Sequence, residues 1–240
     1  MTQFEKQLKS IYLSGGIFAI IFLAGTILDI IIGSIVGADL NMLPKNAVER
    51  FTQFNNNVWL GLYNLDFLNL ITSLIMFPIF FTLFTAHNHL NPVYSKLAML
   101  VFLIGTTFFI VNNAALPMLD LSHQYSAATD SDKLLIASAG EALLAKGAHS
   151  SPGIFPGFAL ISISEILISF VMLSAGIFSK ATSYIGITGN SLLLLYVIFV
   201  TFIPGMKSSA MLLAMPGGLL SMVWIVMFTA RLFQLRSSIS

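Results

Sequence analysis

The chain has 240 residues, of which 57% are hydrophobic and only 9% charged, against roughly 25% charged in an ordinary soluble domain. With a mean hydropathy of +0.90, a soluble fold is excluded. A formal net charge of +1 with eleven scattered Lys and Arg excludes nucleic acid as a partner, because phosphate binding needs a clustered basic face. Cysteine is absent, which removes disulfides, thiolate metal sites and cysteine nucleophiles and leaves the redox compartment undetermined.

Roughly 20 apolar residues make one membrane crossing. The first such run is Ile11 to Val36, preceded by Lys6 and Lys9. It is too long for a signal peptide and reads as a retained span. Gly25, Asp29, Gly33 and Gly37 recur in it at four-residue steps, a helix face on which small residues let a neighbour pack closely around the acid. A loop from Gly37 to Asn57 leads to a second span, Val58 to Ala86, which aligns Asp66, Asn69 and Ser73 and contains Pro78. A short turn with His87 and His89 precedes a third span, Ser95 to Leu119, carrying Thr106, Asn113 and Pro117. Next comes a long loop from Asp120 to Pro152. Within it, Ser131 to Lys146 (SDKLLIASAGEALLAK) predicts a short amphipathic surface helix with Leu135, Ala139, Ala142 and Leu143 as its apolar stripe. The fourth span, Gly153 to Phe178, aligns Ser162, Glu165 and Ser169; Ala181 to Ile203 and Ala210 to Phe233, with Pro216, Gly217 and Gly218, complete the set. Trp59, Tyr12, Tyr94 and Tyr184 suit the aromatic belt at the membrane interfaces.

The fold class predicted is therefore all-α: one domain, a polytopic transmembrane bundle of six spans with a surface helix between spans three and four. Six crossings put both termini on one side and both long loops on the other. Lys6, Lys9, Lys96, Lys180, Arg231 and Arg236 fall on the terminal face, while Lys45, Arg50, Lys133, Lys146 and Lys207 are diluted over the longer loops. The positive-inside rule then places the termini in the cytoplasm.

Asp29, Asp66 and Glu165 sit inside spans that contain no Lys or Arg. An ionised carboxylate in hydrocarbon costs at least ~2.5 kcal/mol, so each must be protonated, hydrated or paired. At ~1.5 Å per residue, Asp29, Asp66 and Asn113 fall roughly 9 to 12 Å below the long-loop ends of their spans, and Glu165 roughly 18 Å. The expectation is a shared polar pocket of Asp29, Asp66, Asn69, Asn113 and Glu165 opening toward the long loops. Asp120, His123 and His149 form a weaker candidate metal set beside its mouth, since a metal site wants three or four converging ligands. No GxSxG occurs, and no cofactor is assigned.

Three segments carry a resemblance: YLSGGIFAIIFLAG near the start, LNLITSLIMFPIFFTLFTAHNHLNPVYSKLAML across the turn between spans two and three, and MPGGLLSMVWIVMFTARLF near the end. Together they resemble the uncharacterised bacterial six-span family known as Domain of Unknown Function 4386. The resemblance implies an all-helical bacterial membrane protein and brings no activity with it; the localisation expected for the chain is the inner (plasma) membrane. The residues themselves favour binding or transport of a small solute or cation. A structural, assembly or sensor subunit, in which the acids are buried glue, is the alternative, and a metal-dependent enzyme acting on lipid the second. The lipid bilayer is the expected partner, with a homo-oligomer or larger membrane complex plausible because the chain is short for a lone transporter.

Overall fold

The computed structural model describes residues 2–36 and 44–239. Gly37, the last of the small-residue steps, lies outside them with 38–43. The described residues form ten helices and no strand: α1 (Gln3–Val36), α2 (Ala47–Asn56), α3 (Val58–Tyr63), α4 (Phe67–His87), α5 (Pro92–Asn112), α6 (Ala115–Ala127), α7 (Asp130–Gly147), α8 (Phe155–Ala175), α9 (Lys180–Phe202) and α10 (Lys207–Ser238). Six helical stretches are long and apolar enough to cross a membrane, the third running from Pro92 to Ala127 through both α5 and α6. The all-α, six-span bundle is the observed architecture.

The crossing helices close into a ring. α1 packs on α4, α4 on α5, α5 on α8, α8 on α9, α9 on α10, and α10 returns to α1. Small residues set the close approaches. A Cβ on Gly157 would stand 2.8 Å from the Phe109 backbone nitrogen, and one on Gly105 2.9 Å from that of Ile161, so α5 and α8 meet backbone to backbone. At the terminal end, Lys9 Nζ donates to the Ile239 carbonyl at 3.1 Å, tying the two chain ends together. The terminal half of the ring is filled by an apolar core of Ile79, Phe80, Leu83, Phe102, Ile168, Met172, Trp224, Phe228 and their neighbours. Tyr12 belongs to this core and not to the interfacial belt, whereas Trp59, Tyr94 and Tyr184 are exposed.

Two predicted spans are interrupted. The second breaks at residues 64–66, where Asp66 takes a left-handed backbone (φ 62°) ahead of α4. The third breaks at Asn113 and Ala114 between α5 and α6. Pro78 and Pro216, by contrast, lie within continuous helices. Over their described residues the predicted long loops are largely helical, and α2, α3, α6 and α7 pack together as a cap with its own core of Phe51, Phe54, Leu62, Leu65, Ala115 and Met118. Its first helix is started by Asn46, whose Oδ1 accepts from the Glu49 amide at 2.9 Å, while Glu49 Oε2 accepts from the Lys45 amide at 2.7 Å, a reciprocal capping arrangement. Helix α7 exists where predicted, but its inner stripe is Ile136, Gly140, Leu143, Leu144 and Gly147. Leu135, Ala139 and Ala142 face outward.

Candidate functional site

Between the apolar core and the cap lies a cavity of about 390 Å³ lined by all six crossing helices. α1 contributes Phe22, Thr26 and Asp29, α4 Asn69, Thr72 and Ser73, and α5 Phe102, Thr106 and Phe109. α8 adds Phe158, Ser162 and Glu165, α9 Leu193 and Tyr196, and α10 Gly218, Ser221 and Met222. His149, from the segment between α7 and α8, closes the long-loop side. Such a volume suits a small-molecule ligand, for which roughly 300 to 1,000 Å³ is usual.

The structure brings three of the five predicted pocket residues, Asp29, Asn69 and Glu165, to this one cavity. Asp66 stands behind the wall. Its carboxylate accepts from Asn69 Nδ2 at 2.9 Å and faces His149 Nδ1 at 3.0 Å. On the other side of the imidazole, Nε2 lies 3.0 Å from the Tyr196 hydroxyl. Asn113 is used elsewhere: its Nδ2 donates to the Leu65 carbonyl at 3.1 Å and its Oδ1 accepts from the Ala115 amide at 3.0 Å, so one amide staples both helix breaks. The metal set does not assemble. His149 turns inward to Asp66, Asp120 accepts from Gln124 at 2.8 Å and His123 is exposed. Among the described residues no three His, Cys, Asp or Glu converge.

The Asp66–His149 pair has consistent electrostatics. The Asp66 charge drives the imidazole up to about 10 against the opposing effect of burial, helped by the hydrogen bonds it donates to Asp66 and Tyr196. Burial by itself would raise the Asp66 carboxyl; the His149 charge, the His149 and Asn69 hydrogen bonds and the Arg50 charge outweigh it and hold the carboxyl below its ordinary value. At neutral pH the pair is an imidazolium on a carboxylate. Both imidazolium N–H groups donate, one to Asp66 and one to Tyr196. Arg50, buried in the cap, is lowered to about 10, first by burial, and Asp66 partly offsets this. Tyr63 donates to the Asp29 backbone carbonyl at 3.0 Å, and burial first, then the Asp29 carboxyl, push its phenol up to about 12. The only non-glycine residues with positive φ among those described are Asp66 itself and Ser150, which follows His149. Backbone strain of this kind, of order 1–3 kcal/mol per residue, persists where surrounding contacts enforce it.

Tyr196 and Ser221 carry no sequence signal beyond being single polar residues in apolar runs, which is why only the structure assigns them to the cavity.

The profile of the family described as Domain of unknown function (DUF4386) matches residues 13–230. The chain belongs to this family. The DUF4386 match extends from the third turn of α1 beyond the middle of α10, and so takes in every cavity-lining residue. No curated protein and no solved structure matches the chain. What the family membership and the six apolar helices establish is a multi-pass membrane protein.

Proposed function

We propose that this DUF4386 protein binds a small organic cation in the central cavity and moves it across a bacterial inner membrane. The observation that carries the reading is the lining. Asp29 enters a chamber walled by Phe22, Phe102, Phe109, Phe158 and Tyr196, and among the described residues neither Lys nor Arg lines it. Aromatic faces attract an ammonium group by roughly 0.5–2 kcal/mol each when desolvated, and a carboxylate supplies the counter-charge. His149 adds no free positive charge, because Asp66 neutralises it. The greater density of Lys and Arg near the termini supports an orientation with both termini cytoplasmic and the cap outside.

Phenethylammonium, an aromatic ring carrying one ammonium group, is the probe of choice. Calorimetry on the purified full-length protein in detergent should give saturable heat, and Asp29→Asn should weaken binding about tenfold or more, the usual loss for a charged hydrogen bond. Absence of saturable heat in the millimolar range, or equal binding by Asp29→Asn, would overturn the proposal.

A further inference from the structure

The cavity's polar side chains divide into two groups. On α1 and α4 the hydroxyls are occupied by their own helices: Thr26 donates to the Phe22 carbonyl at 3.0 Å, Thr72 to that of Asn69 at 3.1 Å and Ser73 to that of Leu70 at 2.8 Å. On α5, α8 and α10 they are not. Thr106 Oγ1 is fully buried without a hydrogen-bond partner. The side chains of Ser162 (6% exposed), Glu165 (8%) and Ser221 line the same cavity and have no hydrogen-bond or ion-pair partner among the described residues.

These four line one cavity, from the level of Thr106 at mid-depth to that of Glu165 at its inner end. Gly105 packs on Leu160 and Ile161, which sets the adjoining Thr106 beside Ser162. Ser162 and Glu165 are three residues apart on α8 and both face the cavity. Gly186 of α9 touches Ser169 of α8 and Trp224 of α10, and Gly189, one turn along, touches the Ser221 backbone; this register lifts Ser221 to the level of Glu165. A fully buried oxygen without a partner, as Thr106 Oγ1 is, is rare in native proteins and calls for water, an ion or a ligand group.

We propose that Thr106, Ser162, Glu165 and Ser221 form a sodium site in the inner part of the cavity. The donor chemistry selects the ion. All four ligands are oxygens, which suit hard cations. A single carboxylate balances a single charge, while calcium recruits several carboxylates and magnesium keeps its charge on waters and phosphates. The half-buried Asp29 lies on α1, whose cavity hydroxyl is already engaged, and belongs to the other end of the chamber. The site rests on reading the cavity as a ligand chamber but uses different side chains from those that hold the organic cation. The two ligands would occupy one chamber at two depths, so that sodium could drive solute binding.

The test uses the full chain in detergent with radioactive sodium in a scintillation proximity assay, ionic strength held constant with potassium chloride. Trp59→Phe leaves Trp224, three residues from Ser221, as the single tryptophan of a two-tryptophan chain, and its fluorescence provides a second readout. Saturable sodium binding is expected, and Glu165→Gln should weaken it about 10- to 100-fold, as for a lost charged hydrogen bond. The Thr106→Val, Ser162→Ala double variant should weaken it about tenfold, and Asp132→Asn, on the exposed face of α7, should leave it unchanged. No saturable binding by wild-type protein with normal thermal unfolding would overturn the site, as would wild-type affinity in the double variant should Glu165→Gln fail to fold. Sodium binding without phenethylammonium binding would sink the organic-cation reading and leave this site standing; the reverse pattern would sink the site alone.

Discussion

Replacing Asp66 by Asn removes the counter-charge of His149 without changing side-chain size. The carboxylate is buried and the His149 side chain keeps only 26% of its exposure, so the pair resembles a buried ion pair, whose breakage costs about 3–5 kcal/mol. The residual exposure of the imidazole favours the lower figure, about 3 kcal/mol, a fall in unfolding midpoint of about 6 to 12 °C for a chain of this length. The effect depends on pH in a definite sense. Asp66 has a depressed folded value, so its contribution is present above the unfolded value of about 3.9 and disappears as pH falls through the folded one. His149 is raised from 6.5 to about 10, so its contribution is complete below 6.5 and is lost as pH rises toward 10. The gap between wild type and Asp66→Asn should therefore be widest between pH ~4 and ~6.5 and close by pH ~10. Thermal unfolding followed by tryptophan fluorescence in detergent measures it, in a cycle with His149→Gln and the double variant. A gap that does not vary with pH, or single effects that add within about 0.5 kcal/mol, would refute the coupling.

Asn113→Leu should cost about 2 kcal/mol, since it strands the Leu65 carbonyl and the Ala115 amide in a dry place; hydrogen exchange should rise at residues 64–66 and 113–115 and not in α9. Gly147→Val places a side chain against the Asn112 carbonyl oxygen and the Ala114 nitrogen. Backbone cannot yield there, so α7 should lift from the α5–α6 break at a cost of about 1–3 kcal/mol or more, read as faster tryptic cleavage after Lys146. Wild-type cleavage rates would show that α7 does not need that contact.

The six crossings were legible because the bilayer demands uninterrupted apolar length, and the runs from 11 to 36 and from 153 to 178 supply it plainly. The breaks were not, because 64–66 and 113–114 contain neither Gly nor Pro; they depend on Asp66, Asn113 and His149 meeting across three separate segments. The cap helix α2 did leave a trace. Ala47, Phe51 and Phe54 recur at four and three residues behind an Asn-x-x-Glu start, a helical signature that a search for apolar runs passes over. Of the pocket residues, Glu165 stands out as an acid within an apolar span, Asn69 lies at helical spacing from Asp66, and Asp29 shares the depth of Asp66. Asn113 satisfied the same criterion and serves as a staple, since depth says nothing of which way an amide turns. His149 had been grouped with the wrong partners: sequence proximity linked it to the Asp120 loop, while its real neighbours, Asp66 and Tyr196, stand 83 and 47 residues away.

Closure of the ring by the α1–α10 contact has a consequence for biogenesis. α1 leaves the ribosome before the other nine described helices and α10 after them, so the chamber does not exist until α10 has been made. Until then Asp29 must wait beside lipid or the insertion machinery, with Tyr63 and α4 as its earliest company. Truncation before α10 would leave an open arc of five crossings with the Asp29 and Glu165 carboxyls facing an unsealed gap. Quality control in the membrane would then have a simple mark of an unfinished chain: acid exposed where the last helix should be.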